Sequence, residues 1–193
     1  MPKIKVGQVK ATLPPDLDAL SVRTNAGDFI KGVENSDTGG EFLPTAYKDS
    51  NEQTTVGWGS RADDLSPGDT ITKDDAQARL NNGLDASVNA IHRHGGETVW
   101  KLLDQDTKDA VLSVMHNVGD SGVIFDRKSG DYTNFWKAFL SGDKERMAQE
   151  LDWGKDSGHQ KRRDTEKAKI LKSSKKQPEM EMASPPAMVD GAN

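Results

Sequence analysis

The chain has 193 residues and no cysteine. It therefore has no disulfide staple and no thiolate zinc site, and it does not depend on an oxidising compartment to fold. No apolar run is long enough to span a bilayer, and Met1–Gly7 lacks the hydrophobic stretch of a signal peptide. The expectation is a protein made soluble in the cytoplasm, without membrane insertion. Hydrophobic residues are also sparse, at 33% against 30% charged. A chain of this length can build a real core, but the core must be concentrated in part of it.

The net charge of −5 hides an asymmetry. Residues 1–160 are acidic overall, residues 161–176 are strongly basic, and 177–193 are acidic again. A nucleic-acid binder spreads basic charge over its folded surface. Here the surplus sits in one segment, which suits contact with an acidic cell-wall polymer better than nucleic acid.

Residues 1–24 hold β-branched residues and Leu13-Pro14-Pro15 and show no helical period, so they read as an extended N-terminal arm. Asn25 then caps a short helix with Ala26, Phe29, Ile30 and Val33 spaced by three and four. Alternating stretches at 45–49 and 54–60 predict a hairpin across Ser50–Gln53. Thr72-Lys-Asp-Asp75 is a near capping box, and Ala76, Leu80, Leu84, Val88 and Ile91 predict a long helix behind it. Further helices follow at Val111–Val118, stopped by Gly119, at Phe135–Leu140, at Met147–Leu151 and over 160–172. Composition predicts a flexible tail over 173–193. The fold class is α+β, a small β-hairpin lobe joined by a long helix to a mostly helical lobe, with a domain over 25–172.

Hydrolysis of a glycosidic bond requires two carboxyl groups in different environments, with a water held between one of them and the sugar. Glu34 ends the first helical stretch, about 40° around the helix from Ile30, so it borders the apolar stripe. A carboxyl partly desolvated in this way suits a general acid. Asp49 ends the first strand, and Thr55 opens the second with Gly57 and Gly59 on its face, a bare strip of backbone a sugar can approach. Each residue has a plainer reading: a solvated helix-end glutamate, a turn aspartate, glycines that relieve crowding. His92 and His94, two apart on a helix, point in different directions and lack a third ligand, so no metal site is expected. Trp100 and Trp136 sit in apolar helical patterns and read as core. Lys161-Arg162-Arg163 can contact an acidic wall polymer or pair with an acid near the cleft, but a charged, solvated helix face is the commoner explanation.

The ordered set Ile30-Lys-Gly-Val-Glu34, Ala46-Tyr-Lys-Asp49 and Thr55-Val-Gly-Trp-Gly59 resembles the phage-type lysozymes. So do Pro67–Thr72 before an acidic helix start, Met115-His-Asn-Val-Gly119, and Gly158-His-Gln-Lys-Arg162-Arg163 with Glu166. The resemblance covers roughly residues 25 to 172. It implies a muramidase that cleaves the β-1,4 bond between N-acetylmuramic acid and N-acetylglucosamine in peptidoglycan, with inversion and without metal or other cofactor. Glu34 would be the acid, Asp49 would activate the water and Thr55 would hold it. Tyr47, Gly57, Trp58 and Gly59 would line the sugar site. Three departures stand out. Residues 35–41 are longer than the compact Glu-Gly turn of the family, so Glu41 stays open as an alternative acid, although only Glu34 follows the Ile-Lys-x-x-Glu pattern. Ser60 stands where many members have histidine. His159 and Gln160 replace apolar and often basic positions. The implied setting is synthesis in the host cytoplasm and action on the cell wall, at lysis or from the virion, with terminal extensions that dock to other virion proteins. The alternative is an inactive, lysozyme-derived structural or wall-binding component of a phage particle.

Overall fold

The computed structural model describes residues 17–34, 40–49, 51–152 and 159–174, with side chains placed from Arg23 to Lys172. The expected arm up to residue 16 and the tail beyond 174 lie outside the described residues. Helix α1 runs over Leu17–Val33, which corrects two expectations. Residues 17–24 are helical rather than extended, and Asn25 is an interior residue of the helix, not its cap. No glycine or proline interrupts Leu17–Thr24, and Val22, Ala26 and Ile30 keep a four-residue spacing, so nothing stops the helix short of residue 17. Arg23 ties this first part to the next long helix through Nε to Asp85 Oδ1 at 2.6 Å and a second bond to Oδ2.

The small lobe is a three-stranded antiparallel sheet in sequence order: β1 (Leu43–Lys48), β2 (Thr54–Gly57) and β3 (Ser60–Arg61). Tyr47 pairs with Thr55, and Thr55 with Arg61, so these three residues sit side by side across the sheet. The second predicted strand is thus two strands, because Gly57 (φ 71°) and Gly59 (φ 77°) turn the chain through the left-handed region. The turn Ser66–Asp69, with Pro67 second and Gly68 at φ 95°, folds the next segment back along β1. There Ala46 donates to Asp69 and Ile71 to Pro44.

Helix α2 (Lys73–Arg93) starts at the expected capping box. Thr72 Oγ1 accepts from Asp75 N at 3.1 Å, and the Asp75 carboxylate accepts from Thr72 N at 3.3 Å. Its inward stripe is Ala76, Leu80, Leu84 and Ile91, all nearly inaccessible. Beyond it come α3 (Glu97–Leu102), α4 (Gln105–Val118), α5 (Asp120–Ile124), α6 (Asn134–Ser141), α7 (Lys144–Gln149), a single 3-10 turn (Glu150–Asp152) and α8 (Gln160–Ser174). Helix α4 is buried over Ala110–Met115 and packs against α1, α2, α5 and α8, so it is the centre of the helical lobe. Trp100 and Trp136 are core residues as expected, and Trp136 stacks on Phe139 at 4.6 Å. Among the described residues no helix is long and apolar enough to cross a membrane.

Since α1 is continuous from Leu17, a chain trimmed to 17–174 should unfold at nearly the temperature of the full chain, while one trimmed to 25–172 should be clearly less stable. Arg23→Ala should by itself cost about 1–2 kcal/mol, the worth of a partly buried, charge-assisted contact. Thermal unfolding checks the two trimmed chains and urea unfolding the substitution, both followed by circular dichroism.

Candidate active site

Asp49 leaves β1 and enters a tight turn that wraps its carboxylate. Oδ1 accepts from Asn51 N at 2.8 Å and from Gln53 N at 2.9 Å. The turn closes through Asp49 N to Gln53 O at 3.0 Å and carries Glu52 at φ 59°, a conformation side chains other than glycine rarely adopt. With Oδ1 committed to the turn, Oδ2 faces the Thr55 hydroxyl at 3.4 Å. Tyr47 lies beside them, and its phenol is pushed above the ordinary tyrosine range by burial, then by the charges of Glu34 and Asp49.

Glu34 follows the last residue of α1 and keeps the helical bond from its N–H to Ile30 O, 2.7 Å. Its side chain is 18% exposed. Oε1 accepts from Arg162 and lies 4.0 Å from His116 Nε2, so both contacts use one oxygen. Gly59 backs the carboxyl so closely that a Cβ there would sit 3.0 Å from Glu34 Cδ. Glu41, the alternative acid, is exposed.

Helices α4 and α8 supply the ground on which Glu34 rests. Arg162 and Arg163 are 8% and 2% exposed, which corrects the solvated-face reading. The buried Glu166 carboxylate accepts from Ser113 Oγ at 2.6 Å and Arg162 Nε at 3.0 Å, and also from Arg163. Arg162 donates further to Ser113 O at 2.9 Å, and Arg163 to Asn117 Oδ1. Two carboxyl groups and two guanidinium groups thus form one hydrogen-bonded cluster. Three lysines further along α8 are paired as well: Lys169 bonds Asp106 and Asp109 at 2.8 Å each, Lys172 lies 3.0 Å from Asp106, and Lys167 meets Asp152, while Lys161 is exposed. The pairing of Arg162 with an acid, weighed above as the lesser reading, is the one the structure shows, whereas His116 was not anticipated beside Glu34. The available signal was Arg162, Arg163 and Glu166 at helical spacing, with Ser113 standing polar inside the apolar stretch Ala110–Met115 of α4.

Asp49, Thr55 and Gly59 line one cleft of about 890 Å³ between the sheet, α2 and the α4–α5 junction. Glu34 and Tyr47 are not among its lining residues, and the predicted sugar-site residues Gly57 and Trp58 are turned away from it. Trp58 is 3% exposed and turned inward, its Nε1 donating to Gly40 O at 3.1 Å and its ring tilted against Phe42, so it has no free face for a sugar. A Cβ on Gly57 would meet Ala76 Cβ at 3.0 Å, so this glycine lets the sheet approach α2 and leaves no bare strip. Ser60 Oγ, at the departure from the family pattern, is buried without a hydrogen-bond partner. His94 packs edge-on against Phe125 at 5.0 Å. Among the described residues no three side chains group as metal ligands.

Two consequences can be measured. Gly59→Ala should cost about 1–3 kcal/mol through backbone strain and push the Glu34 carboxyl aside. Thermal unfolding and a cell-wall lysis assay should both register it. His116 is buried, which drives its imidazole below the ordinary histidine value against the opposing charge of Glu34. It donates Nε2–H to Trp58 O at 2.8 Å, since a carbonyl only accepts. Unfolding frees the ring to take a proton near its ordinary value of about 6.5, so the unfolded chain binds the extra proton. Its contribution to stability is complete above that pH and declines as the pH falls below it. Urea unfolding from about pH 7 to 5 should show this slope, and His116→Gln should flatten it.

Residues 40–166 match the family model for phage lysozyme, a span that holds Asp49, Thr55, Arg162, Arg163 and Glu166 but begins after Glu34. No curated protein sequence matches the chain. Among solved structures, the active form of the P1 phage endolysin Lyz superposes with a TM-score of 0.59 and 18% identity, covering 81% of this chain and 93% of that one. The endolysin from the Escherichia coli O157:H7 phage FAHEc1 gives 0.56 and 25%, over 77% and 92%. The muramidase domain of SpmX from Asticaccaulis excentricus gives 0.53 and 20%, over 83% and 99%. With more than half of the sequence inside the family match and the fold shared with all three structures, the chain belongs to the phage lysozyme family.

Proposed function

We propose that this chain is a lysozyme that hydrolyses the β-1,4 bond between N-acetylmuramic acid and N-acetylglucosamine in peptidoglycan, with inversion. The observation that carries the reading is the pairing of Asp49 Oδ2 with the Thr55 hydroxyl at 3.4 Å, on a cleft wall where Gly59 backs the carboxyl of Glu34. Glu34 protonates the leaving oxygen through Oε2, because Oε1 is engaged by Arg162. Asp49 takes the proton of the attacking water, and Thr55 orients that water. Tyr47 and Gly59 border the scissile sugar. An inverting mechanism needs room for the water, with the two carboxyl groups roughly 6.5–9.5 Å apart. Membership of the phage lysozyme family and the likeness to phage endolysins support this reading over a wall-binding protein without turnover. The catalytic unit spans 17–174, and the segments outside it serve delivery or docking to other virion proteins.

Glu34→Gln keeps the shape of the side chain and an acceptor for Arg162 but removes the transferable proton. It should lower wall lysis by at least about 10²-fold while the protein stays folded, and Glu41→Gln should leave lysis near normal. A zymogram on bacterial cell walls reads both. Proton NMR of the first products should show inverted anomeric configuration; retained configuration would sink the mechanism, and the reverse ranking of the two variants would move the acid to Glu41.

A further inference from the structure

The helical wall of the cleft holds a carboxylate that the chemistry above does not use. Asp120 opens α5, and its Oδ1 accepts from Ser87 Oγ on α2 at 2.6 Å. Among the described residues no cation forms an ion pair with it; Arg93 of α2 and His116 of α4 act on it only at longer range. Burial drives its carboxyl above the ordinary aspartate range, partly offset by the Ser87 hydrogen bond. A half-buried carboxylate with no counter-ion and one neutral donor is poorly compensated in the free protein. Such a group in a cleft is suited to a ligand that supplies the missing donor.

The space around it has the shape for one. Gly83 lies one helical turn before Ser87 on α2, and Gly119 immediately precedes Asp120; a Cβ added at either would meet nothing within 4 Å. Gly119 also takes φ 85° where α4 gives way to α5, and this turn sets the direction of Asp120. All four residues line the same cleft as Asp49 and Thr55. The face of a pyranose ring can therefore lie against bare backbone beside a fixed acceptor.

We propose that Asp120 is a glycan-binding residue of the helical wall: held by Ser87, it accepts through Oδ2 a hydrogen bond from an acetamido N–H or a hydroxyl of an N-acetylated sugar lying over Gly83 and Gly119. The inference rests on the glycan-cleaving function proposed above. It adds a sugar contact that none of Glu34, Asp49 or Thr55 provides.

Calorimetric titration of the Glu34→Gln protein tests it, with two ligands: linear glycan strands freed of their stem peptides, and the same strands with peptides attached. Adding Asp120→Asn keeps the shape and a partner for Ser87 but removes the charge. It should weaken binding of the peptide-free strands about tenfold or more, with an unchanged unfolding temperature. Adding Ser87→Ala instead, which leaves the charge but frees its orientation, should weaken the same binding by a smaller factor. Unchanged affinity for peptide-free strands in Asp120→Asn overturns the proposal. So does a loss confined to peptide-bearing strands, which would assign Asp120 to an amine of the peptide. A Glu34→Gln protein that binds neither ligand, together with an unmutated chain that does not lyse walls, overturns the function proposed above and this subsite with it.

Discussion

The cluster of Glu34, Arg162, Arg163 and Glu166 is the constraint on which the cleft depends. Taking ionisable groups out of water is expensive, and only mutual pairing with further hydrogen bonds offsets it. Ser113 and Asn117 supply those bonds from α4, so the end of α1, the middle of α4 and the start of α8 are held in one arrangement. Truncating Glu166, the member with no exposure, leaves buried guanidinium charge uncompensated, at about 3–5 kcal/mol. Such a cluster contributes less to stability than an apolar plug of the same volume would. It specifies where Glu34 sits, which an apolar plug would not do.

The two carboxylates are held by different means. Asp49 is positioned locally, by the amides of its own turn, and remains partly exposed. Glu34 is positioned by side chains from distant helices and backed by a glycine that leaves no space for adjustment. On the function proposed above, the group held locally is the one that activates the water, and the group held from a distance is the acid.

Local chemistry made much of this legible in advance. The capping box at Thr72, the apolar stripe of α2, the glycine stop after Val118 and the alternation around Asp49 and Thr55 each follow from neighbouring residues, so the sequence reveals them. The start of α1 was misplaced because eight residues without a clear period carry little local signal; the Arg23–Asp85 contact that supports them lies 62 positions away. Helices α3 and α5 went unread because elements of six and five residues are too short for a period to emerge. Gly57 was set on the open face because strict alternation was carried through Gly57–Gly59, where two left-handed glycines break it; Trp58 was placed beside the sugar by resemblance alone, and its indole bonds Gly40 O instead. Arg162 and Arg163 looked solvated because burial of a charge depends on a partner that sequence proximity does not show.

Glu34 and Arg162 stand 128 positions apart. A chain that emerges from the ribosome N-terminus first exposes the glutamate long before its counter-ion exists. The contact forms only after α8 has been made and docked, so it belongs among the last long-range contacts of folding. Until then the small lobe can form its sheet and its Asp49 turn, because those contacts are local. The carboxyl of Glu34 acquires a fixed place only once the whole domain has closed around it, and order of synthesis thereby withholds the finished cleft from an incomplete chain.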